Sequence, residues 1–139
     1  LIILDTNVIS EPMRTQGDPA VRDWLDRQDA ETLYVTATSL SELLTGIELV
    51  AAGKRKTNLT KSLAALMETL FGPRILPFDR VAATAYASIV GRTRASGYTI
   101  SVADAQIAAL AQVTGFSVAT RDTVPFIAAG TPIVNPWTD

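Results

Sequence analysis

Hydrophobic positions along the chain fall into two kinds of run that take turns. Short stretches with no polar interruption, such as "IIL" at Ile2–Leu4, give way to longer ones in which apolar residues recur every third and fourth position. A short apolar run bounded by turn residues predicts a buried strand, and the longer spacing predicts an amphipathic helix. Ile2–Leu4 is then a first strand. Asp18 and Pro19 open a helix as N-cap and first helical residue, with Val21, Trp24 and Leu25 on its apolar face. The β-branched and aromatic run "TLYVTA" (Thr32–Ala37) is a second strand.

Two helices follow. One runs from Ser39 to Ala52 and is closed by Gly53; the other runs from Lys54 to Phe71, with Leu59, Leu63, Leu66, Met67 and Leu70 along one face. "RILPF" (Arg74–Phe78) is a third strand. Asp79 caps a helix reaching Ser96 and Gly97, and Ser101 starts another that stops at Gly115. "FSVAT" (Phe116–Thr120) and "PIV" (Pro132–Val134) complete a set of five strands. These strands are apolar throughout and take turns with helices. That pattern predicts an α/β fold, a three-layer α/β/α sandwich around a central, mainly parallel sheet. With no repeat, linker or low-complexity stretch, residues 1–139 read as a single domain.

Composition narrows the chemistry. At 47% hydrophobic and 19% charged residues the chain is globular. The absence of cysteine excludes disulfides and thiolate metal sites and fits a reducing compartment. No apolar run approaches the ~20 residues that cross a membrane, and the start lacks the basic segment of a secretion signal. A cytoplasmic location and no membrane partner are the expectation. A net charge of -2 argues against coating nucleic acid by charge alone, while leaving room for a local basic rim. There is no histidine, which removes the commonest general base, the Ser-His-Asp triad and every imidazole zinc site.

Carboxylates are what remains, and four occupy telling places. Asp5 directly follows the first strand, and Asp122 follows the strand ending at Thr120, in "TRD". Glu42 in "SLSE" and Asp104 in "SVAD" fall in predicted first turns of helices. In a parallel sheet, strand ends and the starts of the following helices share one rim, where ligands of such sheets bind. Each acid has a plain alternative. Ser39-x-x-Glu42 and Ser101-x-x-Asp104 match the capping box, and Asp5 and Asp122 suit turns that end strands. Their coincidence on one rim, with no lysine or arginine beside Asp5, Glu42 or Asp104, favours a shared role. Clustered carboxylates repel unless protonated or bridged by a cation. Oxygen ligands alone select Mg²⁺ or Mn²⁺, ions that support phosphoryl chemistry without histidine. Thr120 and Asn7, each two residues from one of these acids, are candidate supports.

At these residues the chain resembles a known family. "LDTNVISE", "TSLSELLTGI", "ISVADAQIAALAQVTGFSVATRD" and "IVNPW" together resemble the PIN-domain nucleases, and more closely the VapC-type toxins of bacterial toxin–antitoxin pairs, FitB-like subgroup. The similarity covers essentially the whole chain. It implies a metal-dependent endoribonuclease whose Mg²⁺ or Mn²⁺ is held by Asp5, Glu42, Asp104 and Asp122, with Thr120 in support. It further implies an RNA substrate, a homodimer and a cognate antitoxin whose peptide tail wraps the toxin. Lys54, Arg55, Lys56 and Arg121 are candidate contacts to RNA or partner, against the plainer reading of solvated charge. The broad apolar faces of the Ser39–Ala52 and Lys54–Phe71 helices read mostly as core packing, and the hairpin they form is also where an amphipathic partner segment is expected. Two other readings compete: a non-enzymatic metal-binding α/β interaction module, and an aspartate-based phosphotransferase or phosphatase. The latter wants D-x-D after the first strand, where this chain has Asn7.

Overall fold

The computed structural model describes residues Leu1–Asp139. Its centre is a sheet of five strands: β1 (Ile2–Leu4), β2 (Leu33–Thr36), β3 (Ile75–Leu76), β4 (Ser117–Ala119) and β5 (Ile133–Val134). The spatial order is β3-β2-β1-β4-β5, and every neighbouring pair is parallel. The connections contain α1 (Thr6–Ser10), α2 (Pro19–Asp26), α3 (Ala37–Glu48), α4 (Lys54–Ala65), α5 (Arg80–Ala95), α6 (Val102–Thr114) and α7 (Val124–Ala128). No helix is long and apolar enough to cross a membrane.

Successive residues of a strand face opposite ways, so each strand feeds two cores. Ile3 and Val118 pack on one face with Ala82 and Ile89 of α5, Ile107 and Leu110 of α6, and Phe126 of α7. Leu4, Leu33, Val35 and Ala119 pack on the other with Val8, Val21, Trp24, Leu43 and Leu63 from α1 to α4. Uninterrupted apolar strands mean burial on both faces, and the α/β/α layering follows from it. Ile3 and Leu4, adjacent in the chain and both essentially inaccessible to solvent, divide between the two cores.

Three local features depart from the sequence reading. The helix expected to start at Ser39 starts at Ala37, and its N-cap is Thr36, the last residue of β2. The Thr36 hydroxyl accepts the Ser39 N–H at 3.0 Å, and Ser39 is buried in the first turn. Glu42 therefore lies beyond the first turn and caps nothing. Strand passes to helix here without a loop, and the extended backbone of Thr36 makes it the cap in place of Ser39. Second, α4 ends in a wider π-helical segment, Leu66–Phe71, stopped by Gly72 in a positive-φ conformation. Third, α1 and α7 have five residues each, too few for apolar periodicity to reveal them.

The cap assignment is testable by chemical denaturation. Thr36→Ala, which leaves the buried Ser39 N–H without its acceptor, is expected to cost about 1–2 kcal/mol. Thr36→Ser should restore most of it. A loss below the error of the measurement for Thr36→Ala would return the cap to Ser39.

Candidate active site

Chain order reverses at β1. From β1 the chain moves outward to β2 and β3, then returns to β4 on β1's other side. Open parallel sheets bind ligands at such a reversal, beyond the carboxyl ends of the strands. Asp5 is the residue after β1, and Thr120 and Asp122 follow β4. The helix α3 leaves the end of β2, and α6 runs back across the sheet before β4. Their N-termini therefore reach the same rim, bringing Glu42 and Asp104. Thr38 on α3 donates to Gln106 Oε1 on α6 at 2.8 Å, tying the two helices one turn from those acids.

Asp5 is the fixed point. It is buried, with 6% of its surface exposed. Its Oδ1 accepts the Thr6 N–H at 2.8 Å, and its Oδ2 accepts the Thr120 hydroxyl at 2.8 Å and the Asn7 side-chain amide at 3.5 Å. Thr120, fully buried, also accepts the backbone N–H of Asp122 at 3.0 Å and the Asn7 amide at 3.4 Å. The Asn7 side-chain oxygen, Oδ1, accepts the Arg121 backbone N–H at 3.2 Å. Asn7 and Thr120, expected as supports, thus join the Asp5 carboxylate to the backbone that carries Asp122.

The other acids surround this centre more loosely. Glu42 is exposed and accepts the Thr6 hydroxyl at 3.1 Å. Thr6 is a residue the sequence reading passed over; its position directly after the strand-ending aspartate was the available signal. Asp104 is half-buried. The Ser101 hydroxyl caps its N–H at 3.1 Å, but the return bond of a capping box, from the Asp104 carboxylate to the Ser101 N–H, is not made. The Asp104 carboxylate is thus not committed to the Ser101 backbone, and the Ser101 hydroxyl is the neighbour that favours its charged form. Asp122 is exposed.

Electrostatics shows that these groups sense one another. Burial pushes the Asp5 pKa up to about 6, against the hydrogen bonds from Thr120 and Thr6, and the negative charges of Asp104 and Glu42 raise it further. Burial also raises Asp104; the Ser101 hydroxyl opposes the rise and the charge of Asp122 adds to it. No cation neutralises any of them, since the chain's ion pair, Arg14–Glu11 at 3.1 Å, lies elsewhere. The donor set fits a hard divalent cation: all oxygen, anionic and uncompensated. No three of the acids stand close enough together to enclose an ion as they are.

The basic candidates separate. Lys54, Arg55 and Lys56 form the first turn of α4, where the sequence starts the helix. Lys56 donates to the Glu48 carbonyl at 2.9 Å, satisfying the end of α3. Lys54 and Arg55 are exposed, and Arg55 shares with Glu42 and Thr6 the lining of a groove between α1, α3 and α4. Arg121 forms no ion pair with Asp122; its guanidinium lies over the ring of Trp137.

A stability measurement probes the burial of Asp5. Its pKa is higher in the folded protein than in the unfolded chain, so the folded state loses stability as pH rises between 3.8 and about 6. The cost reaches about 3 kcal/mol above that window. In EDTA at neutral pH, Asp5→Asn is expected to melt higher than the parent, and the gap should close near the lower end of the window. A parent whose stability does not fall across that interval would contradict the buried, unneutralised carboxylate.

Comparison with known proteins bears on the same residues. The family model that matches is the PIN domain, over residues 2–130. The VapC ribonuclease Y4jK of Sinorhizobium fredii is 46% identical over 137 residues, covering 99% of this chain and 98% of that protein. Toxin FitB of Neisseria gonorrhoeae is 44% identical over 139 residues, covering both chains completely. The crystal structure of FitAcB from Neisseria gonorrhoeae superposes with a TM-score of 0.95 at 43% identity, over 100% of both chains. Since the matched region takes in every strand but the last, all four acids and both of their supports, the chain belongs to the PIN domain family.

Proposed function

We propose that this chain is a divalent-metal-dependent endoribonuclease, the toxin of a type II toxin–antitoxin pair, held inactive by a cognate antitoxin. A homodimer and a cytoplasmic location are part of the same reading. One observation carries it: Asp5, Glu42, Asp104 and Asp122 arrive from four separate segments at the rim of the β1–β4 reversal with no cation among them. The names of the relatives, a VapC ribonuclease and a toxin, support it.

The four acids would hold Mg²⁺ or Mn²⁺. Such an ion, when bound, sets positive charge against phosphoryl oxygens and makes water more acidic. The chain's own residues do the rest. Hydrolysis forms a P–O bond from water and breaks the P–O bond to the leaving ribose oxygen, which takes up a proton. With no histidine in the chain, the proton lost by the water goes to a rim carboxylate or to solvent. Thr6, Asn7 and Thr120 hold both oxygens of Asp5 in place, so the central ligand does not need to be reoriented when charge arrives. Glu42 and Asp122, at the exposed edge, are placed to close on it.

The groove beside Glu42 suits the antitoxin. It has a volume of about 300 Å³ and an apolar floor including Met13, Ile47, Val50 and Leu59, with Arg14 and Arg55 among its lining residues. An amphipathic segment fits such a groove, and one extending to Glu42 obstructs the acid site.

Two experiments test the reading. Mn²⁺ at ~100 times its Kd should stabilise the parent by about 2.7 kcal/mol, and Asp104→Asn much less. Asp5→Asn, Glu42→Gln and Asp104→Asn should each lower RNA cleavage by more than about a hundredfold while remaining folded. Full activity in any of these would remove that acid from the site; indifference of the parent to Mn²⁺ would favour a non-enzymatic module. For the groove, Gly46→Leu directs a side chain into space where a Cβ meets nothing within 4 Å. It should keep the fold and gain up to about 1 kcal/mol of helix propensity. Antitoxin binding should fall at least about tenfold, as overfilled interfaces do; undiminished binding would place the partner elsewhere.

A further inference from the structure

Arg121 stands between Thr120 and Asp122 in the chain, yet its guanidinium pairs with neither Asp122 nor any other acid. It lies 5.3 Å from the centroid of the Trp137 ring, inside the ~6 Å range of a cation–π contact. An exposed arginine next to uncompensated carboxylates turns onto them unless something else holds it. Two attachments do. Its backbone N–H donates to Asn7 Oδ1 at 3.2 Å, and the other end of the same amide reaches Asp5 and Thr120. Its side chain rests on a ring that is itself fixed: Trp137 packs against the core containing Leu4 and Ala119. The turn after β5 holds Trp137 as well, with its N–H donating to Asn135 Oδ1 at 3.0 Å and the Asn135 N–H donating to Asp139 Oδ2 at 2.8 Å. Because β4 and β5 are parallel neighbours, Arg121 and Trp137 emerge at the rim that carries the acids.

We propose that Arg121 is the phosphate-binding cation of this site and that Trp137 is its positioning residue, the cation–π pair gripping the RNA backbone at a phosphate beside the one cleaved. The proposal rests on the ribonuclease reading. The contact with the indole takes up no hydrogen bond, so the N–H donors of the guanidinium stay free. That planar fork matches two phosphate oxygens at once, which a lysine does not. A chain of net charge -2 with four clustered acids repels a polyanion. A cation kept off those acids by an indole lowers that repulsion at one defined point. Trp137 thereby does more than pack: it prevents an internal ion pair that would neutralise Arg121 and an acid together.

The test is binding of a labelled, short single-stranded RNA of mixed sequence, read by fluorescence anisotropy across a salt series at fixed Mg²⁺. The parent is the Asp104→Asn protein, so that the RNA is not consumed. Adding Arg121→Gln should weaken binding about fivefold and flatten the slope of log K against log salt by about 0.7, the loss of one contact to a single strand. Trp137→Leu removes no charge, yet should flatten the slope by part of that amount, whereas Trp137→Phe should keep the parental slope. Melting curves accompany each protein. If Trp137→Leu does not fold, Trp137→Ile and Trp137→Tyr take the places of the apolar and aromatic variants. An unchanged slope in Arg121→Gln beside normal parental binding overturns the proposal and leaves the ribonuclease reading standing. A slope reduced by Arg121→Gln and untouched by loss of the aromatic ring overturns the role of Trp137. If the Asp104→Asn parent binds no RNA and the protein with Asp104 intact neither binds nor cleaves it, both readings fall.

Discussion

Keeping the carboxylate of Asp5 out of water at the end of the central strand is the constraint around which the rim is arranged. A buried anion needs donors on every side. Those donors come from the start of α1 (Thr6 and Asn7) and from the end of β4 (Thr120). Satisfying one side chain therefore couples β1 to β4 across the chain reversal and sets the backbone that carries Asp122. The hydrogen bonds offset burial only in part, and the group remains inclined to hold a proton. Stability given up at this point is what a divalent cation would restore, and a rim built to be incomplete by itself is a feature of functional sites.

Three cations of the chain are engaged away from the four acids, and this preserves the charge of the rim. Arg14 pairs with Glu11, Lys56 satisfies the last turn of α3, and Arg121 lies over the ring of Trp137. Had any of them reached Asp5, Glu42 or Asp104, an internal ion pair would compete with a metal. The same diversion leaves Arg121 with its donors unspent beside the acids. On the proposed reading, an acidic centre and a cation that does not neutralise it would take a metal and a phosphate side by side.

Much of this was legible in the sequence, for identifiable reasons. Uninterrupted apolar strands taking turns with amphipathic helices fix burial on both faces of the sheet, and so the layers. The positions of Asp5 and Asp122 at strand ends, and of Glu42 and Asp104 near helix starts, follow once the sheet is parallel, because parallel strands end at one rim. The absence of histidine and cysteine restricts the donors to oxygen. What misled was local: Ser39 and Thr36 are both good caps, and only the point at which β2 stops pairing decides between them.

Composition and spacing thus determined the fold class, which acids end strands or start near helix N-termini, and the restriction of their donors to oxygen, because these depend on residue type and on period along the chain. Tertiary structure decided the rest. Which carboxylate is buried and which exposed, that Thr6 rather than a cap holds Glu42, and that Arg121 turns to Trp137 rather than to Asp122 all depend on residues distant in sequence. Glu42 is 36 residues from Thr6, and Thr120 is 115 from Asp5. Period and propensity act over a turn or a strand, whereas desolvation and ion pairing depend on what the folded chain brings alongside.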